Sequence, residues 1–134
     1  MGVTISCKNA PINYDLPYFG FFRLRCDIAK YCDEELGDLY KQINDMDADQ
    51  FNAKLHKLIK RNRIPIKIID FCLQSDCDGK ISFDTCRLIY NRIKNKGKNQ
   101  EIYGYAGRPD PFTLADFKTI LRNCIDAKKP MEWH

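Results

Sequence analysis

Residues 64–93 read IPIKIIDFCLQSDCDGKISFDTCRLIYNRI, and this stretch sets the architecture. Pro65 pushes Ile64 out of the α region, so a helix running through Phe51, Leu55, Leu58 and Ile59 must stop near Arg63. Pro65 also suits the first turn of a new helix, which would carry Ile66, Ile69, Phe71, Cys72 and Leu73. Ser75 to Lys80 is polar and holds Asp78-Gly79, a turn signal, because glycine accepts positive φ. Ile81 would anchor the loop to the core, and Ser82 is placed to cap a further helix. Cys86, Ile89, Tyr90 and Ile93 then recur at helical spacing. Two short helices joined by a tight acidic loop are therefore expected.

The same periodicity extends outward in both directions. Towards the C-terminus, the polar run Asn95–Gln100 contains Gly97, a helix-closing residue. Ile102–Ala106 reads as extended. Thr113 with Asp116 three residues later is an acidic capping box. It opens a last helix whose face is Phe117, Ile120, Leu121, Cys124 and Ile125. Trp133 in the tail is expected to dock on the core. Towards the N-terminus, Leu36, Leu39, Tyr40 and Ile43 mark one helix, begun by the acids Asp33, Glu34 and Glu35. Phe21, Leu24, Ile28 and Cys32 mark another over about 20–32. Val3, Ile5, Cys7 and then Ile12, Tyr14, Leu16 alternate, which predicts a β-hairpin over about 3–16. The fold class is α+β and mostly helical: five or six helices with an N-terminal hairpin. A helical body over about 20–127 and a short C-terminal tail complete one compact domain over 1–134, since 134 residues leave no room for two.

Composition narrows the function. Seven cysteines stand against two histidines, His56 and His134, which disfavours His-based catalysis and most His-containing metal sites. The cysteine count is odd and no C-x-x-C occurs. Most of these thiols fall at apolar helix positions, where cysteine acts as a small hydrophobe. Cys77, in a polar loop, is the exception. No P-loop, G-x-G-x-x-G or nucleophile elbow is present, so neither an enzyme nor a cofactor is expected. The N-terminus lacks the basic and apolar regions of a signal peptide. It fits M-G-x-x-x-[ST] through Ser6, but its alternation favours a strand. No apolar run approaches the roughly 18 residues of a membrane span. The expected compartment is the cytoplasm and no membrane partner is expected. The oligomeric state is not specified.

The net charge is a mild +4, but it is segregated. Asp27 to Asp49 is strongly acidic. Phe51 to Ile69 carries six bases and no acid. Lys54, Lys57, Lys60 and Arg61 lie there, with Lys54, Lys57 and Arg61 read as sharing the helical face opposite the apolar one. Such a face binds phosphate or nucleic acid, or is merely solvated beside its acidic neighbour. No nucleic-acid fold signature accompanies it. A second candidate is Glu101–Asp110, which combines two tyrosines, two glycines and an arginine. Tyr and Arg are enriched at binding hot spots. Tyr103, Tyr105 and Arg108 are accordingly the candidate partner-binding residues, with a protein as the expected partner.

Two resemblances follow. Gln74 to Thr85 resembles a degenerate EF-hand loop with Gly79 at its sixth position. Asp76 and Asp78 then take positions 3 and 5, and are weak metal candidates. Positions 1 and 12 are Gln74 and Thr85, neither of which is a carboxylate, so too few ligands remain for tight calcium binding. More broadly, SDCDGKISFDTCRLIYNRIK, YGYAGRPD, DFKTILRNCI and PYFGFFRLRCDIA are similar to small uncharacterised proteins of phages and prophages of Gram-positive bacteria. That resemblance implies a bacterial cytosol and a role in phage–host conflict. It transfers no site residues. The expected function is a non-enzymatic interaction protein, phage-encoded and acting on a host protein. Nucleotide or nucleic-acid binding through the basic helix face is the alternative, and a weak calcium module the second.

Overall fold

A computed structural model describes residues 2–8, 10 and 13–134. The described residues form β1 (Gly2–Cys7), β2 (Asn13–Pro17), α1 (Tyr18–Cys32), α2 (Glu34–Lys41), α3 (Ala48–Lys60), α4 (Ile66–Leu73), β3 (Gly79–Ile81), α5 (Phe83–Ile93), α6 (Leu114–Ala127) and β4 (Met131–Trp133). The mostly helical α+β expectation is met, and β1 and β2 pair as an antiparallel hairpin with Val3 opposite Leu16 and Ile5 opposite Tyr14. The expected hairpin position Ile12 lies outside the described residues.

The sheet is larger than a hairpin. Its order is β2-β1-β4-β3, all antiparallel. The tail strand β4 lies between β1 and β3, with Trp133 paired to both Ile5 and Gly79. Strand periodicity turns Val3, Ile5, Leu16, Ile81, Met131 and Trp133 inward, and all six are buried. Phe21 of α1 and Phe71 of α4 meet the Trp133 ring, each at 5.6 Å. Gly79 is not in the positive-φ region expected of a turn glycine. It is extended in β3, and the Trp133 indole fills the space a Cβ would take.

Side-chain caps set the starts of four of the six described helices. Asp33 Oδ1 accepts from the Glu35 and Leu36 amides and separates α1 from α2. Asp47 and Ser82 do the same for α3 and α5. The Thr113–Asp116 capping box opens α6. One boundary differs from expectation: α3 ends at Lys60, before Pro65 acts, because Asn62 turns into the left-handed region at φ 54°. α3 is also the least embedded long helix, burying only Phe51 and Leu58. All seven cysteines are free. Five are buried, Cys26 is half-buried and Cys77 is exposed. Burial pushes the Cys7 thiol up to about 12, and those of Cys26 and Cys32 up to about 11.

Candidate functional site

The segment after α5 is shaped by α1. Backbone bonds from the Tyr103 and Gly104 amides to the Phe112 carbonyl, and from Leu114 to Glu101, close it into a loop. Arg23 then ties it to the helix, donating to the Ile102 carbonyl at 3.2 Å and the Glu101 carboxylate at 2.9 Å. Tyr103 is 1% exposed, and its hydroxyl donates to Asp27 Oδ2 at 2.5 Å. Burial, then that bond, holds the phenol well above its ordinary value. This corrects the reading of Tyr103 as a contact residue. It is a core residue that fixes the loop to α1 and has no surface to offer a partner.

Tyr105 and Arg108 remain accessible. The Arg108 guanidinium lies 4.6 Å from the Tyr105 ring centroid, a cation–π geometry. With Gly2, Val3, Thr4 and Asp15 they line a cleft of about 260 Å³. Thr4 donates to Asp15 Oδ1 at 2.7 Å on the same sheet face. The pair therefore sits where the 104–108 loop meets the β1–β2 ribbon.

Two further segments arrive at this place. α1 begins here, with Tyr18 half-buried and Phe19 72% exposed. The neighbouring Cys77 thiol of the 75–78 loop holds the Tyr18 phenol above its ordinary value, and desolvation, Asp76 and Tyr105 add to the shift. Ile102, on the segment Arg23 holds, is 47% exposed. The start of α1, the 75–78 loop and the 102–108 loop thus form one surface. Phe19 and Ile102 are the exposed large apolar residues of these segments, which also carry Tyr18, Tyr105 and Arg108. No local spacing links residues 18, 77 and 105.

The basic candidates are placed differently. Lys54, Lys57 and Arg61 line a cleft of about 250 Å³ whose other wall is Glu35 and Asp38 of α2, with Leu39 and Leu58 in it. They do not stand opposite the whole apolar face as expected, because Leu58 shares their cleft. Arg61 is ion-paired with Glu35, and Arg63 with Glu35 at 3.1 Å and Asp33 at 3.6 Å. Lys60 is exposed and is not one of the cleft residues. The structure therefore does not gather these four bases into one unopposed face. Asp76 and Asp78 are both exposed at a loop tip. Among the described residues, no three His, Cys, Asp or Glu side chains are grouped to hold a metal ion. No described helix is long and apolar enough to cross a membrane.

No protein-family model, curated protein or solved structure matches the chain.

Proposed function

We propose that this chain is a non-enzymatic interaction protein that docks on a protein partner through the surface where α1 begins. The observation that supports this most is Phe19. It projects from the first turn of a 15-residue helix at 72% exposure. Burying such a ring is worth about 1.5–3 kcal/mol, a gain the free protein leaves unrealised. Tyr18, Tyr105 and Arg108, on the same and adjoining segments, are of the residue types that dominate protein hot spots. Arg23 and Tyr103 clamp the 101–103 base of the loop to α1, which lowers the ordering cost of binding. The acidic wall facing Lys54, Lys57 and Arg61 weakens the potential a phosphate backbone would meet there, which favours a protein partner over nucleic acid. The resemblance to phage and prophage proteins makes a bacterial cytosolic protein the partner to seek.

The test is comparative capture from a nuclease-treated bacterial lysate. Wild type and a Phe19→Ser/Arg108→Ala variant are immobilised in parallel. The reading expects a protein retained by wild type and lost by the variant. Equal retention by both would place the binding elsewhere.

A further inference from the structure

The α4–loop–β3–α5 unit has the helix–loop–helix order of a calcium-binding hand, so its would-be ligand positions can be followed one by one. In such a loop, side chains at positions 1, 3, 5, 9 and 12 and the carbonyl at position 7 turn towards the ion. Here position 1 is Gln74 and position 7 is Lys80. The Gln74 amide nitrogen donates to the Lys80 carbonyl at 2.9 Å, and the Gln74 amide oxygen accepts from the Lys80 amide, also at 2.9 Å. The side chain thus pairs with Lys80 as a neighbouring strand residue would, on the edge of β3. The same nitrogen donates to Asp70 Oδ2 at 2.8 Å. Positions 9 and 12 are Ser82 and Thr85. Their hydroxyls lie 3.3 Å apart, the Ser82 oxygen caps the Thr85 amide, and Thr85 is 4% exposed. At position 3, Asp76 Oδ1 accepts from the adjacent Cys77 thiol.

Three further bonds fix the start of the loop. The buried Arg25 guanidinium donates to the carbonyls of Phe71 at 3.2 Å and Gln74 at 2.7 Å. It supplies positive charge at the C-terminal end of α4, where the helix dipole favours it. The Trp133 indole nitrogen donates to the Ser75 carbonyl at 2.9 Å. A calcium ion would need the Lys80 carbonyl turned inward and at least six oxygens around it. Four of the six positions already bond one another in pairs, and only two carboxylates remain. The residues present do not fit the ion.

We infer that Gln74 takes the place of a cation in this unit, joining the first and seventh loop positions through its own amide, so that the fold of the loop is independent of calcium. The unit is then a permanent mount for Cys77 and Asp76 beside Tyr18, and not a calcium switch. This inference stands on the loop bonds alone and does not depend on the docking reading.

The test compares wild type with Gln74→Glu, which keeps the size and one acceptor but deletes the donor. It also sets a carboxylate against the Lys80 carbonyl and the Asp70 carboxylate. Thermal melts are run in EGTA and in millimolar calcium. Wild type is expected to melt at the same temperature in both. Gln74→Glu is expected to melt about 4–10 °C lower than wild type in EGTA, the loss of the two hydrogen bonds that the amide nitrogen donates. A calcium-dependent rise for wild type, or a Gln74→Glu melt equal to wild type in EGTA, would overturn the inference. If Gln74→Glu does not fold, a calcium titration of wild type followed by amide NMR decides alone. Unmoved resonances at 74–85 support it, and saturable shifts there refute it.

Discussion

Replacing Gly20 by alanine sets two effects of opposite sign against each other. Gly20 lies in the first turn of α1, and helix propensity alone would make Gly20→Ala stabilising, by up to about 1 kcal/mol. The structure predicts the reverse. An added Cβ would stand 1.9 Å from the Tyr103 carbonyl oxygen, which is backbone and cannot rotate away. Ordinary contact begins near 3.4 Å, so the 101–104 segment would have to retreat by about 1.5 Å. That distance breaks the Tyr103–Asp27 bond and slackens the Arg23 clamp. Overpacking costs about 1–3 kcal/mol. A hydrogen bond to a carboxylate adds about 1.5–3 kcal/mol if lost outright. Because the segment can relax partway, these costs overlap. Net of the propensity gain, a destabilisation of about 1–3 kcal/mol is expected. Urea unfolding followed by far-UV circular dichroism measures it, and the midpoint is expected to fall by roughly 0.5–2 M at an ordinary slope. A Gly20→Ala protein as stable as wild type, or more so, would refute the packing of the 102–108 loop on α1.

Other consequences are more local. Phe19→Ser should change stability by no more than about 0.5 kcal/mol, whereas Phe21→Ala, two residues on and fully buried, should cost about 3–5 kcal/mol in the same urea assay. Lys118 donates to the Lys94 and Lys96 carbonyls and to Asn99 beyond the end of α5; Lys118→Met should cost about 1–2 kcal/mol and speed amide exchange in the last turn of that helix. The thiols of Cys7, Cys26 and Cys32 are raised from 9.0 to about 12, 11 and 11. The folded state therefore holds their protons more tightly than the unfolded state does. Their contribution is complete below pH 9 and is lost as pH climbs towards 11–12, at about 1.4 kcal/mol per thiol per pH unit. Urea midpoints across that range should fall steeply; a flat profile would contradict the burial. Under native conditions a maleimide should label Cys77 first, with the buried thiols reacting only on unfolding, as peptide mass spectrometry can verify.

Parts of this fold are written locally and parts are not. Helix α6 is readable because Thr113, Asp116 and the stripe from Phe117 to Ile125 all lie within thirteen residues and agree. Strands β3 and β4 are three residues each, too short for alternation to register, and they exist because β1, β3 and Trp133 come together from distant parts of the chain. Gly79 shows the same limit. Beside Asp78 it reads as a turn, yet the Trp133 ring is what requires a glycine there. At the candidate site, composition finds the Tyr/Gly/Arg loop but cannot divide it. Tyr103 and Tyr105 look equivalent, and only Asp27, 76 positions away, makes one of them core. The basic run is equally ambiguous until α2 sets Glu35 and Asp38 across from it.

Site-specific photo-crosslinking tests the docking surface most directly. A photoreactive residue is placed at position 19 in one version of the protein and at position 60, an exposed lysine of the basic helix α3, in another, and both are irradiated in bacterial cells. The account predicts a discrete covalent adduct with a protein from position 19 and none from position 60. An adduct with protein or nucleic acid from position 60 and none from position 19 would contradict it.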